Sequence, residues 1–120
     1  MTEPPWRVRL GAAAEVDLVN IVRWTLENFG LSQAETYRDT LLGAIAELSS
    51  GPAPAGSKAR DEILPGLRTL HVARHGRRGR HFLLYRVAKS GHIEIVRILH
   101  DRMDLSHHLP PTNDEGDSQQ

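Results

Sequence analysis

The stretch HFLLYRV-AKSGH-IEIVRIL, residues 81–99, contains two apolar runs joined by a short polar link. Both runs are rich in aromatic or β-branched residues, and the link contains Gly91. This arrangement predicts a β-hairpin. A third run, Leu67 to Arg74, precedes them across another polar segment with glycines, residues 75–80. We therefore expect a three-stranded antiparallel meander in the C-terminal half of the chain.

Two helical patterns precede this meander. In the first, which begins near Ala12, one apolar stripe at helical spacing comprises Leu18, Ile21, Val22, Thr25 and Phe29. In the second, Ser32 and Glu35 have the spacing of a capping box at a helix start. Gly30 between the patterns suits the backbone conformation that follows a last helical turn. A link of about two residues predicts an antiparallel helical hairpin.

Residues 6–10 alternate apolar and basic side chains, which predicts a short strand before the helices. Residues 49–66 contain three prolines and three glycines and are predicted to form a long surface connection. The expected fold is α+β: an N-terminal strand, the helical hairpin packed on one face of the sheet, and the meander. Residues 1–109 are expected to form a single domain. Residues 110–120 contain no apolar side chain and are expected to be an acidic disordered tail.

Composition narrows the class of protein. The chain has no cysteine, no apolar run long enough to span a membrane, and an acidic, proline-rich start unlike a signal peptide. We therefore expect a soluble, cytoplasmic protein. The net charge is zero, but residues 58–102 carry an excess of seven positive charges, whereas both flanking segments are acidic. This distribution indicates either a positive face that binds an anionic partner or an unevenly charged solvated surface.

Several local patterns follow one another in order along residues 6–109. They are Asp17-Leu18-x-x-Ile21-x-x-x-Thr25-x-x-x-Phe29-Gly30, Gln33-Ala34-x-x-Tyr37, the stretch 61–68 (DEILPGLR), the strand 81–87, and the stretch 96–104 (VRILHDRMD) followed by His107-His108-Leu109. Together they resemble the ParE branch of the ParE/RelE superfamily of bacterial type II toxins. The resemblance implies a strand, two helices and three strands, the order that periodicity also predicts.

The resemblance also implies a toxin neutralised by a ParD-like antitoxin encoded beside it. ParE-type toxins are associated with poisoning DNA gyrase, whereas RelE-type toxins cut messenger RNA on the ribosome. Here the third-strand arginine of the ribonucleases is replaced by Phe82, their second-strand lysines by residues 68–71, and their C-terminal tyrosine by His108, while Arg102 matches. This favours gyrase inhibition by protein contact, without chemistry of its own. The alternatives are messenger RNA cleavage with Arg102 and His108 as catalytic residues, or an inactive fold retained as an antitoxin-bound regulatory partner.

Candidate target-binding residues come from the basic middle of the chain. They are Arg77, Arg78, Arg80, Arg86, Arg97 and Arg102. A basic turn at 77–80 suits phosphates or an acidic protein patch, but a solvated charged turn that discourages edge pairing explains it equally well. For the two strand arginines, Arg86 and Arg97, the structural alternative is an ion pair with Glu94 or Asp101, or a side chain that reaches past the core to solvent.

Candidate antitoxin-binding residues are apolar side chains that one sheet and two helices cannot all bury. They are Trp6, Trp24, Leu26 and Leu31. An antitoxin helix in a groove, or a strand added to a sheet edge, would cover them. Sequence-specific DNA binding by this chain itself is not expected. No cofactor or metal is expected either, because His71 and His75 would lie about 13 Å apart on one strand face. The remaining cluster, His100, His107 and His108, has no recognised metal-binding spacing.

Overall fold

The computed structural model describes residues 5–103. Its elements are β1 (Val8–Leu10), α1 (Ala12–Phe29), α2 (Leu31–Glu47), a 3₁₀ turn (Leu48–Ser50), β2 (Lys58–Ala59), β3 (Leu67–His71), β4 (His81–Val87) and β5 (Ile93–His100). They form one sheet of order β1-β5-β4-β3-β2, in which β1 runs parallel to β5 and the other neighbours are antiparallel. The predicted α+β order is confirmed, with a mixed sheet.

The helical hairpin is tighter than predicted. Gly30, at φ 91°, follows α1 and immediately precedes α2, so a single residue joins the two helices. Its N–H donates to Leu26 O, and its carbonyl accepts from the N–H of Ala34. The predicted capping box is wrong, because α2 begins at Leu31 and no side chain caps it. Gly30 tolerates positive φ and makes the turn between the helices without a side-chain cap. Ser32 therefore already lies inside α2.

The main core lies between the helices and one face of the sheet. Ala14, Leu41, Ala44 and Leu48 on the helical side pack against buried residues of three strands. Those strand residues are Leu70, Leu83, Tyr85, Ile93, Ile95 and Ile98. A smaller cluster of Leu67, Leu84 and Leu99 belongs to the second face, where Ile63, Leu64 and Phe82 pack against it. Both faces of the central strands are thus covered, which explains their nearly continuous apolar composition.

The connection 49–66 has more structure than its composition predicts. Lys58 pairs with Thr69 and Ala59 with Arg68, so this segment adds a fifth strand at the edge of the sheet. The turn that follows is held by the Asp61 carboxylate, which accepts from the N–H of Gly66. A strand of two residues is too short to show a periodic apolar pattern, so the sequence predicts only a connection here.

Two strands, β1 and β3, are shorter than the sequence predicts. β1 begins at Val8, because the N–H of Trp6 donates to Ser49 O, beyond α2, instead of to a strand. β3 ends at His71, so His75 lies in the following turn and the predicted shared strand face of the two histidines is wrong. Neither helix is long and apolar enough to cross a membrane.

Candidate functional site

A groove of about 760 Å³ lies where the helical hairpin turns and the sheet ends at the start of β4 and the end of β5. We call it the hairpin groove. Its lining comes from α1, α2, the turn before β4 and the segment after β5. It comprises Asn20, Ile21, Trp24, Thr25, Phe29, Gln33, Tyr37, Arg78, Gly79, Arg80, His81, His100, Arg102 and Met103. Its surface is mostly apolar, and its polar side chains are mainly cationic or neutral.

The helical wall of the groove presents two aromatic rings to solvent. Trp24 is 57% exposed and Phe29 is 63% exposed, and their ring centroids are 5.6 Å apart in an edge-on arrangement. They lie five residues apart near the end of α1, so the hairpin turn leaves both without a covering element. Large exposed aromatic side chains beside a concavity are typical of protein-binding sites.

Three arginines surround this apolar surface. Arg78 and Arg80 come from the turn before β4, and Arg102 follows β5. All three are exposed, and none of their guanidinium groups makes a hydrogen bond or ion pair to another residue between 5 and 103. Arg102 is positioned through its backbone, since its N–H donates to His100 Nδ1 at 3.2 Å. The hairpin groove thus combines an aromatic wall with positive charge, of which Arg80 alone interacts with a described carboxylate, that of Asp101.

A polar contact fixes the floor of the groove. The Tyr37 hydroxyl accepts from the N–H of Arg80 at 2.9 Å and shares a hydrogen bond of 2.6 Å with His81 Nδ1. Gly79 passes close to the same ring: a Cβ there would lie 2.6 Å from Val72 Cγ2 and 3.1 Å from the Tyr37 oxygen. Only glycine lets the basic turn Arg77–Arg80 lie against Tyr37 in this way.

Both members of the Tyr37–His81 pair are held neutral. Burial lowers the pKa of His81 to about 4, and the adjacent His100, whose ring centroid is 5.3 Å away, lowers it further. Burial also raises the pKa of Tyr37 above its usual value of 10.0. At neutral pH neither group carries charge, and the nitrogen and hydroxyl that face each other are engaged in their own bond. The pair therefore positions the turn rather than supplying an acid or base.

A second polar cluster borders the other side of His100. His71 Nε2 lies 3.0 Å from Asp101 Oδ2, and His71 Nδ1 accepts from the N–H of Ala73. The hydrogen bond with His71 lowers the pKa of Asp101. Both ring nitrogens of His71 are thus occupied by groups of the protein, which leaves neither free to move a proton for a substrate.

The two strand arginines are ion-paired. Arg86 lies opposite Glu94 and contacts its carboxylate at 3.2 Å, as one of the sequence alternatives proposed. Arg97 instead binds Asp17 of α1 at 2.7 and 3.0 Å, so the expected pairing with Glu94 or Asp101 is wrong for this residue. Asp17 also accepts the N–H of Ile98, a strand group beyond the end of β1. This hydrogen bonding raises the pKa of Arg97.

The structure divides the residues chosen from sequence. Of the predicted target-binding set, Arg78, Arg80 and Arg102 line the hairpin groove, whereas Arg77 is exposed outside its lining. Of the predicted antitoxin-binding set, Trp24 lines the groove. Leu26 and Leu31 are exposed outside it. The expectation that Trp6 is left uncovered is wrong, because its ring packs against the main core.

Other site residues were missed or lie outside the described part. The sequence does not predict that Phe29 and Tyr37 share a groove. Their shared place has no local sequence signal, since it depends on the meander meeting the hairpin. His107 and His108 lie outside residues 5–103. Within that range, no group of three histidine or carboxylate side chains is placed to hold a metal ion.

Comparisons with known proteins agree with this fold. A family model described as the ParE toxin of the type II toxin–antitoxin system parDE matches residues 8–105. The chain is 39% identical to Toxin ParE1 of Mycobacterium tuberculosis over 103 residues, which cover 86% of this chain and 97% of that protein. It is 35% identical to Toxin ParE of Escherichia coli over 97 residues, covering 80% and 85% of the two chains.

A solved structure, titled as the chromosomal ParDE system from P. aeruginosa, superposes with a TM-score of 0.59 over 79% of this chain and 95% of the other. The two chains are 20% identical, so this likeness concerns the fold alone. The family match covers the whole of the described sheet and hairpin. The chain therefore belongs to the ParE toxin family of type II toxin–antitoxin systems.

Proposed function

We propose that this chain is a toxin that is neutralised by a ParD-like antitoxin in the hairpin groove and inhibits DNA gyrase by protein–protein contact. The single observation that carries the antitoxin site is the groove itself, where exposed Trp24 and Phe29 lie beside three arginines that form no ion pair among residues 5–103. An amphipathic segment with apolar side chains on one face and carboxylates beside them matches this surface. Helices of this type commonly dock through apolar anchors in grooves.

Neutralisation then follows from overlap of two surfaces. Arg78 and Arg80 belong to the basic turn and also line the groove. An antitoxin segment that fills the groove would pair with these cations and cover them. A target that needs the same turn would be excluded without any change in the toxin's fold.

Within residues 5–103, the contacts of the polar groups in and near the groove support inhibition by contact over chemistry. Phe82, at the position of the ribonuclease arginine, packs against the small core cluster. His81 and Tyr37 are neutral and bonded to each other, and both nitrogens of His71 are occupied. Of the arginines predicted for the target, Arg86 and Arg97 are ion-paired. We therefore assign target contact to Arg77, Arg78, Arg80 and Arg102.

The antitoxin site is tested by affinity measurements on Trp24→Ala. Loss of a central aromatic anchor is expected to weaken binding of the ParD-like antitoxin about 30-fold or more. Leu42→Ala is the matched control, because Leu42 is an exposed apolar residue of α2 outside the groove lining. Equal affinities for the two variants would remove the groove from the proposal.

The target is tested with purified chain freed from its antitoxin. Incubation with gyrase, plasmid and ATP is expected to reduce supercoiling or trap linear DNA, while messages in a parallel cell-free translation reaction stay intact. Arg77→Gln/Arg78→Gln is expected to lose this effect, and Arg23→Gln/Arg38→Gln, which removes two exposed charges from the helices, should retain it. Cut messages with normal supercoiling, or no effect in either reaction, would contradict gyrase inhibition.

A further inference from the structure

The hairpin groove lies beside the point where the described part of the chain ends. Met103, the last described residue, is itself part of the groove lining, and its N–H donates to His100 O. The next 17 residues are DLSHHLPPTNDEGDSQQ. At up to about 3.3–3.6 Å per extended residue, this segment is long enough to cross the groove in either direction.

The charge of this segment is opposite to that of the groove. Residues 104–120 contain four carboxylates and no lysine or arginine. The groove presents Arg78, Arg80 and Arg102, none of which forms an ion pair among residues 5–103. Arg80 has only a longer-range Coulombic interaction, with Asp101. Opposite charges held within one Debye length, about 8 Å at physiological salt, attract one another without strong screening.

The apolar residues of the segment also match the groove. Leu105 and Leu109 are four positions apart, the spacing that places two side chains on one face of a helical turn. Asp104 precedes both leucines, and the other three carboxylates follow Leu109.

We propose that the acidic C-terminal segment, residues 104–120, docks in the hairpin groove of its own chain. Leu105 and Leu109 contact the Trp24–Phe29 wall, and the carboxylates pair with the three arginines. The segment therefore occupies the groove before the antitoxin does and must be displaced by it. That last consequence rests on the proposed function, whereas the docking itself does not.

Tethering makes a weak contact sufficient. A segment attached next to its site has an effective concentration of about a millimolar, so a contact of about millimolar affinity is about half occupied. Such partial occupancy protects an exposed aromatic surface in the free protein, and an antitoxin that binds more tightly still displaces the segment.

The absence of cysteine allows a direct test on the full chain. A nitroxide attached at Ser118→Cys is the only thiol-linked label, and its paramagnetic broadening is measured on the two tryptophan indole N–H signals. Trp24 lines the groove, whereas Trp6 lies at the other end of the hairpin beside Ser49, so Trp6 serves as an internal reference. A weak contact exchanges rapidly, so the short distance in the docked state dominates the averaged broadening. Docking therefore predicts that the Trp24 signal loses most of its intensity and that the Trp6 signal keeps most of its own.

Control variants separate docking from mere attachment. Arg78→Gln/Arg80→Gln/Arg102→Gln leaves the tether unchanged and is expected to restore the Trp24 signal, as is high salt. Equal broadening of both tryptophans, or of Trp24 with and without the arginines, would overturn the proposal. Broadening transferred to an isotope-labelled, spin-label-free chain would show docking on a second copy and would also overturn it. The experiment contains neither antitoxin nor gyrase, so its failure leaves the proposed function to its own tests.

Discussion

The two ends of the helical hairpin differ although both carry a tryptophan. We call the end where α1 begins and α2 ends the closed end, because other residues cover its tryptophan. There Trp6 packs against the main core, its backbone N–H donates to Ser49 O, and nearby Leu48 is fully buried. We call the end at the Gly30 turn the open end, because its tryptophan is exposed. There Trp24 is 57% exposed and faces the hairpin groove. The charges differ in the same way, because Glu47 pairs with Arg74 and His75 at the closed end, whereas the groove arginines form no ion pair among the described residues.

This difference separates residues that hold the fold from residues available for binding. A large aromatic side chain contributes to stability only where other apolar atoms surround it. An arginine contributes little to stability where no carboxylate lies near it, but it then offers its charge to a partner. The same residue types therefore have opposite roles at the two ends, and the following substitutions test that distinction.

The largest effect is expected from removing the closed-end ring. Trp6→Ala should lower the free energy of unfolding by about 3 kcal/mol, at the low end for a buried aromatic because Trp6 is only partly buried. Trp24→Ala should lower it by less than about 1 kcal/mol, since an exposed ring has few contacts to lose. Denaturant unfolding of both variants measures the contrast. Equal losses would mean that the open end also stabilises the fold.

A smaller loss is expected midway between the ends, where Asp17 joins α1 to β5. Asp17→Ala leaves Arg97 and the N–H of Ile98 without this acceptor and should cost about 2 kcal/mol, less than a fully buried pair because both side chains are partly exposed. Asp17→Asn retains an oxygen for the strand N–H and should recover part of the loss. An Asp17→Asn midpoint equal to that of the parent chain would exclude a contribution from charge.

Gly79→Ala tests whether the open end has a fixed floor. The added methyl group would meet Val72 and the Tyr37 hydroxyl, so we expect a loss of about 1–2 kcal/mol as the basic turn moves away. Gly43→Ala is the control, because Gly43 is helical and has open space where its Cβ would lie. That variant should be neutral or slightly stabilising. A neutral Gly79→Ala would show that the turn adapts without cost.

The smallest effect is expected on the pH dependence of stability, which His81 causes at the open end. The pKa of His81 falls from 6.5 to about 4 on folding, so the unfolded chain binds its proton first, and stability is lost as pH falls from about 6.5 to about 4. His81 is only partly buried, so about 1 kcal/mol is expected. His81→Gln should flatten the stability profile across this window. A profile unchanged by His81→Gln would contradict this origin.

The closed end should respond at lower pH. The hydrogen bond from Arg74 lowers the pKa of Glu47 below its usual 4.5, so its contribution is present above that value and is lost as pH falls through the lowered pKa. Glu47→Gln should therefore remove a pH dependence that begins near pH 4.5, at the acid end of the His81 window, and continues below it. The test is the pH at which each variant's unfolding curve departs from that of the parent chain.

Much of the fold could be predicted because its elements have strong local patterns. The strand predicted over residues 81–87 is observed with the same bounds. The helices follow the apolar stripes whose residues pack against the sheet. The weak elements were missed for a physical reason. β2 has two residues and packs few side chains, and Gly30 replaces a side-chain cap by backbone conformation alone. Neither feature has a sequence period.

The site divides along the same line. The sequence by itself determined which residue types meet at the open end, because composition and spacing are local properties. These are a basic turn, aromatic residues in the helices and an acidic segment after Met103. Only the tertiary structure decided that Arg97 pairs with Asp17, 80 positions away, and that Arg78 and Arg102 share a groove with Trp24. These contacts arise when the meander packs on the hairpin, and no local pattern encodes which distant side chains then become neighbours.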